Sequence, residues 1–347
     1  MNQRRKRQRR KHRKQIVAAL VIAVIAVVGF SVAWIAEEAG HTQERGVMQE
    51  GFGQRKRVEY NGTIYEERTG LTNLLLMGID REDGSWSYGA RQGGQADFLM
   101  LVVIDHEAKT ISRLQIDRDT MTPVKTVGVL GNDTGFLTMQ ICLSHGYGAD
   151  EKARCLNACA AVETLLQEVE IDGYIAMNLD AIGLFNDALG GVTVTVQDDF
   201  SSYDPQMVPG ATLKLTGEQA ETFVRSRMDV GDGTNEARMA RQNAYMTAAV
   251  EVLQARMGED ASFVGTLLDR MGDSVTSSMS RGQLLNEANR AYHYEILPTT
   301  RLDGTYEIGS DGFMEFHVSD GATHDWVMQT LFAPQENAAE LEGSDVQ

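Results

Sequence analysis

Residues Ile16 to Ala36 form a run of 21 residues without a charged side chain, and the fifteen residues before it carry nine Lys or Arg and no acid. At about 1.5 Å per residue, a helix of this length reaches across the roughly 30 Å hydrocarbon core of a bilayer. Trp34 stands near its far end, where interfacial aromatics gather, and the basic flank keeps the N-terminus on the cytoplasmic side. The apolar region of a cleaved signal peptide is shorter, about 7 to 15 residues. The expectation is therefore an uncleaved anchor over 16–36, a cytoplasmic tail over 1–15, and a single-pass cell-membrane protein whose remaining residues lie outside the cytoplasm.

The formal net charge is −17; without the nine cations of the tail, the remainder carries −26. So acidic a domain is a poor partner for nucleic acid, and none is expected. Three cysteines, Cys142, Cys155 and Cys159, lie close together in the chain. Their spacing is compatible with a disulfide from Cys142 to Cys155 or Cys159, and equally with three buried thiols. No pair of histidines stands at ligand spacing, so zinc is not expected. His145 lies near Cys142 but beside Gly146 in a loop, which reads as a structural histidine.

Residues 37–70 are polar, contain Gly40, Gly46, Gly51, Gly53 and Gly62, and show no sustained period, so they read as a juxtamembrane linker. Leu71 to Ile79 and Phe98 to Ile104 are continuous apolar runs, the pattern of central strands covered on both faces. A third strand is predicted over Thr110 to Ile116, and others over Ile171 to Met177, Val192 to Val196, near Glu307, and over Met314 to Val318. Helices are predicted over Ala153 to Glu168, Asp180 to Leu189, Thr216 to Arg227, Glu236 to Met257, Ser262 to Met271 and Arg281 to Tyr292, with a short one near Trp326. Thr216 and Gln219 have the spacing of a capping box. This alternation predicts an α/β sandwich with a mixed sheet, one domain over 71–333, and an acidic disordered tail over 334–347.

Arg225 and Arg227 close one predicted helix, and Arg238 and Arg241 lie in the first two turns of the next. Cations near a helix N-terminus oppose its dipole, and a bound anion would reverse that cost. The other reading is a solvated basic face paired with Asp229, Asp232 and Glu236. In Ile116 to Thr120 (IDRDT), a period of two turns Arg118 to the side of Leu114 and Ile116, where a guanidinium needs an anion. Asp119, with Asp97 at the start of the neighbouring strand, offers oxygens of the kind magnesium takes. Arginines and carboxylates gathered at strand and helix ends suit phosphoryl transfer. The chain has neither a Gly-x-Ser-x-Gly elbow nor a P-loop.

In order and spacing, NLLLMGID (73–80), ADFLMLVVID (96–105), IDRDT (116–120), LSHGYG (143–148), NDALGGVTVTV (186–196) and GEQAETFVRSRMDVGDGTNEARMARQ (217–242) resemble the LytR-CpsA-Psr family of bacterial cell-wall proteins. The resemblance implies a magnesium-dependent phosphotransferase that moves an anionic glycopolymer, such as teichoic acid or capsule, from a polyprenyl-pyrophosphate carrier onto peptidoglycan. It implies catalytic roles for Arg118, Asp119 and Arg238, and magnesium ligation by Asp97 and Asp119. Pyrophosphate would meet Arg118, Arg225, Arg227, Arg238, Arg241 and Gln242, and a prenyl tail would need an apolar pocket lined by helices such as Ala153 to Leu166 or Ala181 to Leu189. Two departures stand out. Where the family often has Arg-Ser-Asp, this chain has Gln95-Ala96-Asp97, so that arginine is absent or replaced by Arg91. An Asp common three residues before Arg238 is here Asn235, with Asp229 or Asp232 as substitutes. Two alternatives remain: a hydrolase of the polyprenyl pyrophosphate in the same site, and a non-catalytic envelope sensor that binds wall polymer.

Overall fold

The apolar runs become the centre of a six-stranded sheet because each presents hydrophobic side chains on both faces. The computed structural model describes residues 57–334, apart from 61, 81–93, 129, 130, 168, 228, 261 and 293. The predicted anchor and cytoplasmic tail, the linker up to residue 56, Arg91 and the acidic tail from residue 335 lie outside the described residues, while Pro334, placed in that tail, ends a strand. No helix among those described is long and apolar enough to cross a membrane.

In chain order the strands are β1 Arg57–Tyr60, β2 Thr63–Glu67, β3 Leu71–Ile79, β4 Ala96–Asp105, β5 Thr110–Ile116, β6 Met121–Val127, β7 Asp133–Gln140 and β8 Gly173–Met177. They continue with β9 Thr193–Thr195, β10 Thr212–Lys214, β11 Val275–Ser277, β12 Glu295–Thr300, β13 Gly304–Ile308, β14 Met314–Val318 and β15 Phe332–Pro334. The helices are α1 Glu151–Leu165, α2 Asp180–Leu189, α3 Gly217–Arg225, α4 Asn235–Glu259, α5 Phe263–Met271, α6 Arg281–Ala291 and α7 Ala322–Leu331. A 3-10 turn covers Ile141–Gly146.

The main sheet has the order β11-β8-β3-β4-β5-β12. β4 is antiparallel to β3 and β5, whereas β8 runs parallel to β3 and β12 parallel to β5, so the sheet is mixed as predicted. Alternate residues feed two separate cores. Leu74, Leu76, Met100, Val102 and Ile104 join a core built with α2 to α6, while Leu75, Met77, Leu99, Leu101 and Val103 join one built with α1 and α7. The predicted capping box forms: the Thr216 side chain accepts from the Gln219 amide while Gln219 reaches back to the Thr216 N–H.

The linker reading fails at its C-terminal end. β1 and β2 pair with each other and then with β15, so residues 57–67 are joined to the far end of the domain. Val58, Tyr60 and Tyr65 pack against the α1/α7 core. Two strands of four and five residues are too short to hold alone, and the partner that secures them lies more than 260 residues away in the sequence.

One irregularity positions the site. Pairing between β3 and β4 runs Gly78↔Phe98 and then Ile79↔Ala96, which leaves Asp97 as the extra residue of a bulge. Parity shows the effect. Phe98 packs on the α2–α6 side with Met100, but Ala96 belongs to the opposite core. Asp97 is thus turned to the same side as Phe98, into a cavity that both residues line. Gly78 permits this, since a Cβ there would stand 3.0 Å from the Phe98 Cβ. Gly78→Val should therefore overpack the bulge and cost about 1 to 3 kcal/mol of unfolding free energy in urea titration, with Gly78→Ala costing less.

Candidate active site

Asp97 sits where three elements meet: the start of β4, the turn that follows β5, and the first turns of α4. The turn is held from both sides. Ile141 donates its N–H to the Thr120 carbonyl (2.7 Å), Cys142 to Arg118 (3.1 Å), and Phe316 of β14 to Asp119 (2.8 Å). α4 begins at Asn235 with the Thr234 side chain capping the Ala237 amide, which places Arg238 in its first turns facing the sheet.

Two guanidinium groups converge on Asp97. Arg118 Nη1 donates to one carboxylate oxygen, and Arg238 Nη1 donates to the other at 3.1 Å. Arg118 also reaches Asp119 through Nε (3.2 Å) and Gln95 Oε1 through Nη2. Arg238 Nη2 donates to Asn235 Oδ1 at 2.6 Å, and Asn235 Nδ2 in turn donates to Asp117 Oδ1 at 2.8 Å. Asp117 is buried and also accepts from the Asp119 amide (2.9 Å) and from the Tyr306 hydroxyl. The result is a continuous chain of charge-assisted hydrogen bonds from Asp97 to β13, of the kind in which each bond polarises the next.

Burial tunes its members. Desolvation pushes the Asp119 carboxyl above the usual carboxylate range, and the nearby Asp117 adds to this against the pull of Arg118, Arg227 and Arg238. Arg238 is lowered from the ordinary arginine range, first by burial and also by Arg118 and Arg227, with Asp97 opposing. Arg227 donates Nε to the Gly233 carbonyl at 3.1 Å. These arginines are crowded like charges in a partly dry place, an arrangement that an anion would relieve.

Beside this cluster opens a cavity of about 240 Å³. Its polar lining includes Asp97, Arg238, Arg225 and Gln242, and its apolar lining includes Ile79, Phe98, Ile182, Phe185, Val224 and Met246. On two residues that line the cavity, Arg238 Nε and Gln242 Oε1 are buried without a hydrogen-bond partner, polarity left unspent just behind the wall. Asp119 Oδ2 is likewise a buried acceptor without a donor. Two carboxylates bridged by Arg118, one with an uncommitted buried oxygen, form a donor set that fits magnesium, which is held by one or two carboxylates plus waters and phosphate oxygens.

The structure brings together Asp97, Arg118, Asp119, Arg238 and Gln242, with Arg225 across the cavity in ion pairs to Glu221 and Asp80 (3.6 Å). It separates Arg241 from them. That side chain is buried, and its three nitrogens are committed to the Phe223 carbonyl, Asp198 (2.7 Å) and the Ser226 carbonyl. Arg241 therefore ties α4 to the end of α3 and does not line the cavity. Three residues of helix turn it by about 60° from Arg238, enough to meet different neighbours. The solvated-face reading also fails for Arg238 and Arg241, which are both buried.

Among the helices proposed to line an apolar pocket, α2 does so through Ala181, Ile182 and Phe185, whereas α1 packs on the other side of the sheet. Neither Asp229 nor Asp232 takes the place beside Asn235. Asp232 is spent on the Thr234 amide, Asp229 is exposed, and the carboxylate bonded to Asn235 is Asp117. Gln95, which stands where the family often has an arginine, instead accepts from Arg118. The sequence does not mark Tyr306 or Asn178, whose side chain accepts from the Ala181 amide at the start of α2, because one is recruited from a distant hairpin and the other from a loop. The three cysteines are buried thiols that form no disulfide.

A mixed sheet between helical layers, with an arginine–carboxylate cluster beside an apolar cavity, defines the domain as an α/β sandwich with one charged and one apolar wall to its candidate site. The chain belongs to the LytR_cpsA_psr family, whose model matches residues 38–323. It is similar to the polyisoprenyl-teichoic acid–peptidoglycan teichoic acid transferase TagU of Halalkalibacterium halodurans, with 24% identity over 284 residues covering 78% of this chain and 77% of that protein. It is also similar to biofilm regulatory protein A of Streptococcus mutans, with 28% identity over 190 residues, 53% of this chain and 44% of that one. In fold it resembles TagT bound to LI-WTA, with a TM-score of 0.56 and 20% identity over 76% of this chain and 91% of that one.

Replacement of Asp119 tests the electrostatic account directly. A carboxyl raised in the folded state stabilises below its unfolded pKa and loses that contribution as pH rises through the folded value. Asp119→Asn should therefore gain stability relative to the parent chain as pH rises from the ordinary aspartate range, about 4, and level off above the raised value. Urea unfolding across that interval checks it; a difference that stays flat or falls with pH would contradict the account.

Proposed function

We infer that the chain is a cell-membrane phosphotransferase that moves an anionic glycopolymer from a polyprenyl-pyrophosphate carrier onto peptidoglycan. The observation that carries this reading is the pairing of Arg118 and Arg238 on Asp97 at the mouth of an apolar cavity: one site with a place for phosphate charge and a place for a hydrocarbon tail. The relatives named as teichoic acid transferases support it. An acceptor hydroxyl on the wall attacks the phosphorus attached to the glycopolymer. The new P–O bond forms as the bond to the other phosphate breaks, so polyprenyl phosphate leaves and the hydroxyl proton is released.

The work of such a site is positioning and charge neutralisation, because the pyrophosphate carries its charge before and after attack. Arg238 and Arg118 turn from carboxylate to phosphate oxygens, the uncommitted Nε of Arg238 bonds one of them, and Arg225 and Arg227 steady the outer phosphate. Asp97 and Asp119 are the residues that would hold magnesium, which when bound would supply further positive charge at the phosphates. Apolar side chains of α2 and β4 exclude water from the tail. With Ile16–Ala36 as a membrane anchor, the domain stays beside a donor embedded in the same membrane, which raises its effective concentration.

The test uses the full chain in detergent or vesicles, with a polyprenyl-pyrophosphate glycopolymer, peptidoglycan and magnesium. Polymer should become covalently attached to peptidoglycan. Chelation should abolish transfer and magnesium restore it. Arg238→Gln should lower kcat by about 100-fold or more, the scale of losing one preorganised charge donor, with the fold retained by circular dichroism. Release of free polymer alone would point to a hydrolase, and an unchanged rate in Arg118→Gln and Arg238→Gln would leave only a binding role.

A further inference from the structure

On the sheet face away from the cavity, His145 of the 3-10 turn meets Glu151 and Cys155, one helical turn apart on α1. His145 Nε2 lies 3.2 Å from a Glu151 carboxylate oxygen and 3.7 Å from Cys155 Sγ. All three ligand atoms fall within 4.8 Å of one another, the only such set of three among the described residues. We propose that His145, Glu151 and Cys155 form a zinc site that secures the loop leading to Asp97.

The geometry is close to what the metal requires. Tetrahedral zinc, with nitrogen and oxygen at about 2.0–2.2 Å and sulfur at about 2.3 Å, holds its ligand atoms about 3.3 to 3.7 Å apart. The His145–Cys155 separation of 3.7 Å falls in that range, the His145–Glu151 separation of 3.2 Å lies just below it, and the third is within 4.8 Å. His145 Nδ1 faces the Gly94 carbonyl at 3.3 Å, an acceptor that can hold the ring proton, which would leave Nε2 to ligate once a metal stands between it and the Glu151 carboxylate. A backbone carbonyl on the distal nitrogen is the usual arrangement behind a metal-bound imidazole.

The charges of the set itself also balance. His145 and Cys155 are fully buried, and one thiolate, one carboxylate and one neutral imidazole offset a divalent ion, with the Arg154 guanidinium 3.8 Å from the second Glu151 oxygen as the remaining cation beside it. Binding releases the thiol proton to solvent, and the mixed nitrogen, oxygen and sulfur set suits zinc better than magnesium or calcium. Glu151 is the partly exposed member, which leaves a fourth position for water.

The scaffold is rigid where the ligands need it. Asn157 of α1 donates to the carbonyls of Ser144 (2.8 Å) and Lys125 (3.0 Å), pinning the turn to the helix. Gly148 lets the chain approach α1 so closely that a Cβ there would lie 2.6 Å from the Arg154 nitrogen. Gly94, held by the His145 ring, precedes Gln95, which receives Arg118 Nη2. The sequence shows no metal motif because one ligand comes from a turn and two from a helix, with a single histidine among them.

The experiment measures metal content of the full chain, purified in detergent without chelator, by mass spectrometry, and then the absorption spectrum after exchange with cobalt. The expected result is one zinc per chain and a thiolate-to-cobalt charge-transfer band. Both should be lost in Cys155→Ser and in Glu151→Gln and kept in Cys159→Ser, a buried cysteine outside the set. Glu151→Gln, at a partly exposed position, covers the case in which Cys155→Ser does not fold, and the cobalt band needs only the unaltered chain. Absence of zinc and of the band, as a plain buried His145–Glu151 pair would give, overturns the proposal. So does metal retained by both variants, which would then reside elsewhere. Neither readout depends on transferase activity.

Discussion

Asp97 receives a guanidinium on each oxygen, and much of the molecule serves to make that contact possible. The bulge opposite Gly78 turns the carboxylate to the cavity side. The turn after β5 brings Arg118 from one direction, and the start of α4 brings Arg238 from the other. Three elements distant in sequence are tied at one point. If any of them moved by an ångström or two, a buried charge would lose its partner, which costs several kcal/mol and makes the arrangement close to all-or-none.

The cluster is poorly justified by stability alone. A buried ion pair roughly breaks even against apolar packing, and here Arg238, Asp119 and Gln242 keep polar atoms without partners. Stored polarity of this kind, at the wall of an apolar cavity, is expected where a ligand completes the network. Arg241 shows the contrast. It lies just along the same helix, yet every nitrogen is satisfied by Asp198 or a backbone carbonyl, and its guanidinium also lies over the Phe200 ring at 5.5 Å. Two arginines three residues apart thus divide the labour, one holding the helix in place and the other holding charge at the cavity.

Asn235 and Asp117 illustrate how a network can be read wrongly from a single strand of text. Proximity in sequence points to Asp229 and Asp232 as the carboxylates nearest Asn235. In the fold the carboxylate that meets Asn235 comes from the turn after β5, over a hundred positions earlier, and is fixed by Tyr306 from a late hairpin. The same reason explains β1 and β2: their alternation is brief and their partner is β15, so nothing local distinguished them from linker.

What the sequence determined by itself was local and periodic. The two-faced strands Leu71 to Ile79 and Phe98 to Ile104, the capping box at Thr216, most helix spans and the mixed α/β architecture follow from hydrophobic period, end signals and apolar run length, which act within a few residues. Positions at strand and helix ends, together with the resemblance of the motifs to the family, also marked Asp97, Arg118, Asp119 and Arg238. Only the tertiary structure decided which arginines face the cavity, that Asp117 supports Asn235, and that His145, Glu151 and Cys155 converge. Those outcomes depend on the bulge in β4, on helix rotation of some tens of degrees, and on contacts between segments far apart in the chain. A one-dimensional pattern carries no information about such contacts until the packing of the two cores brings the segments together.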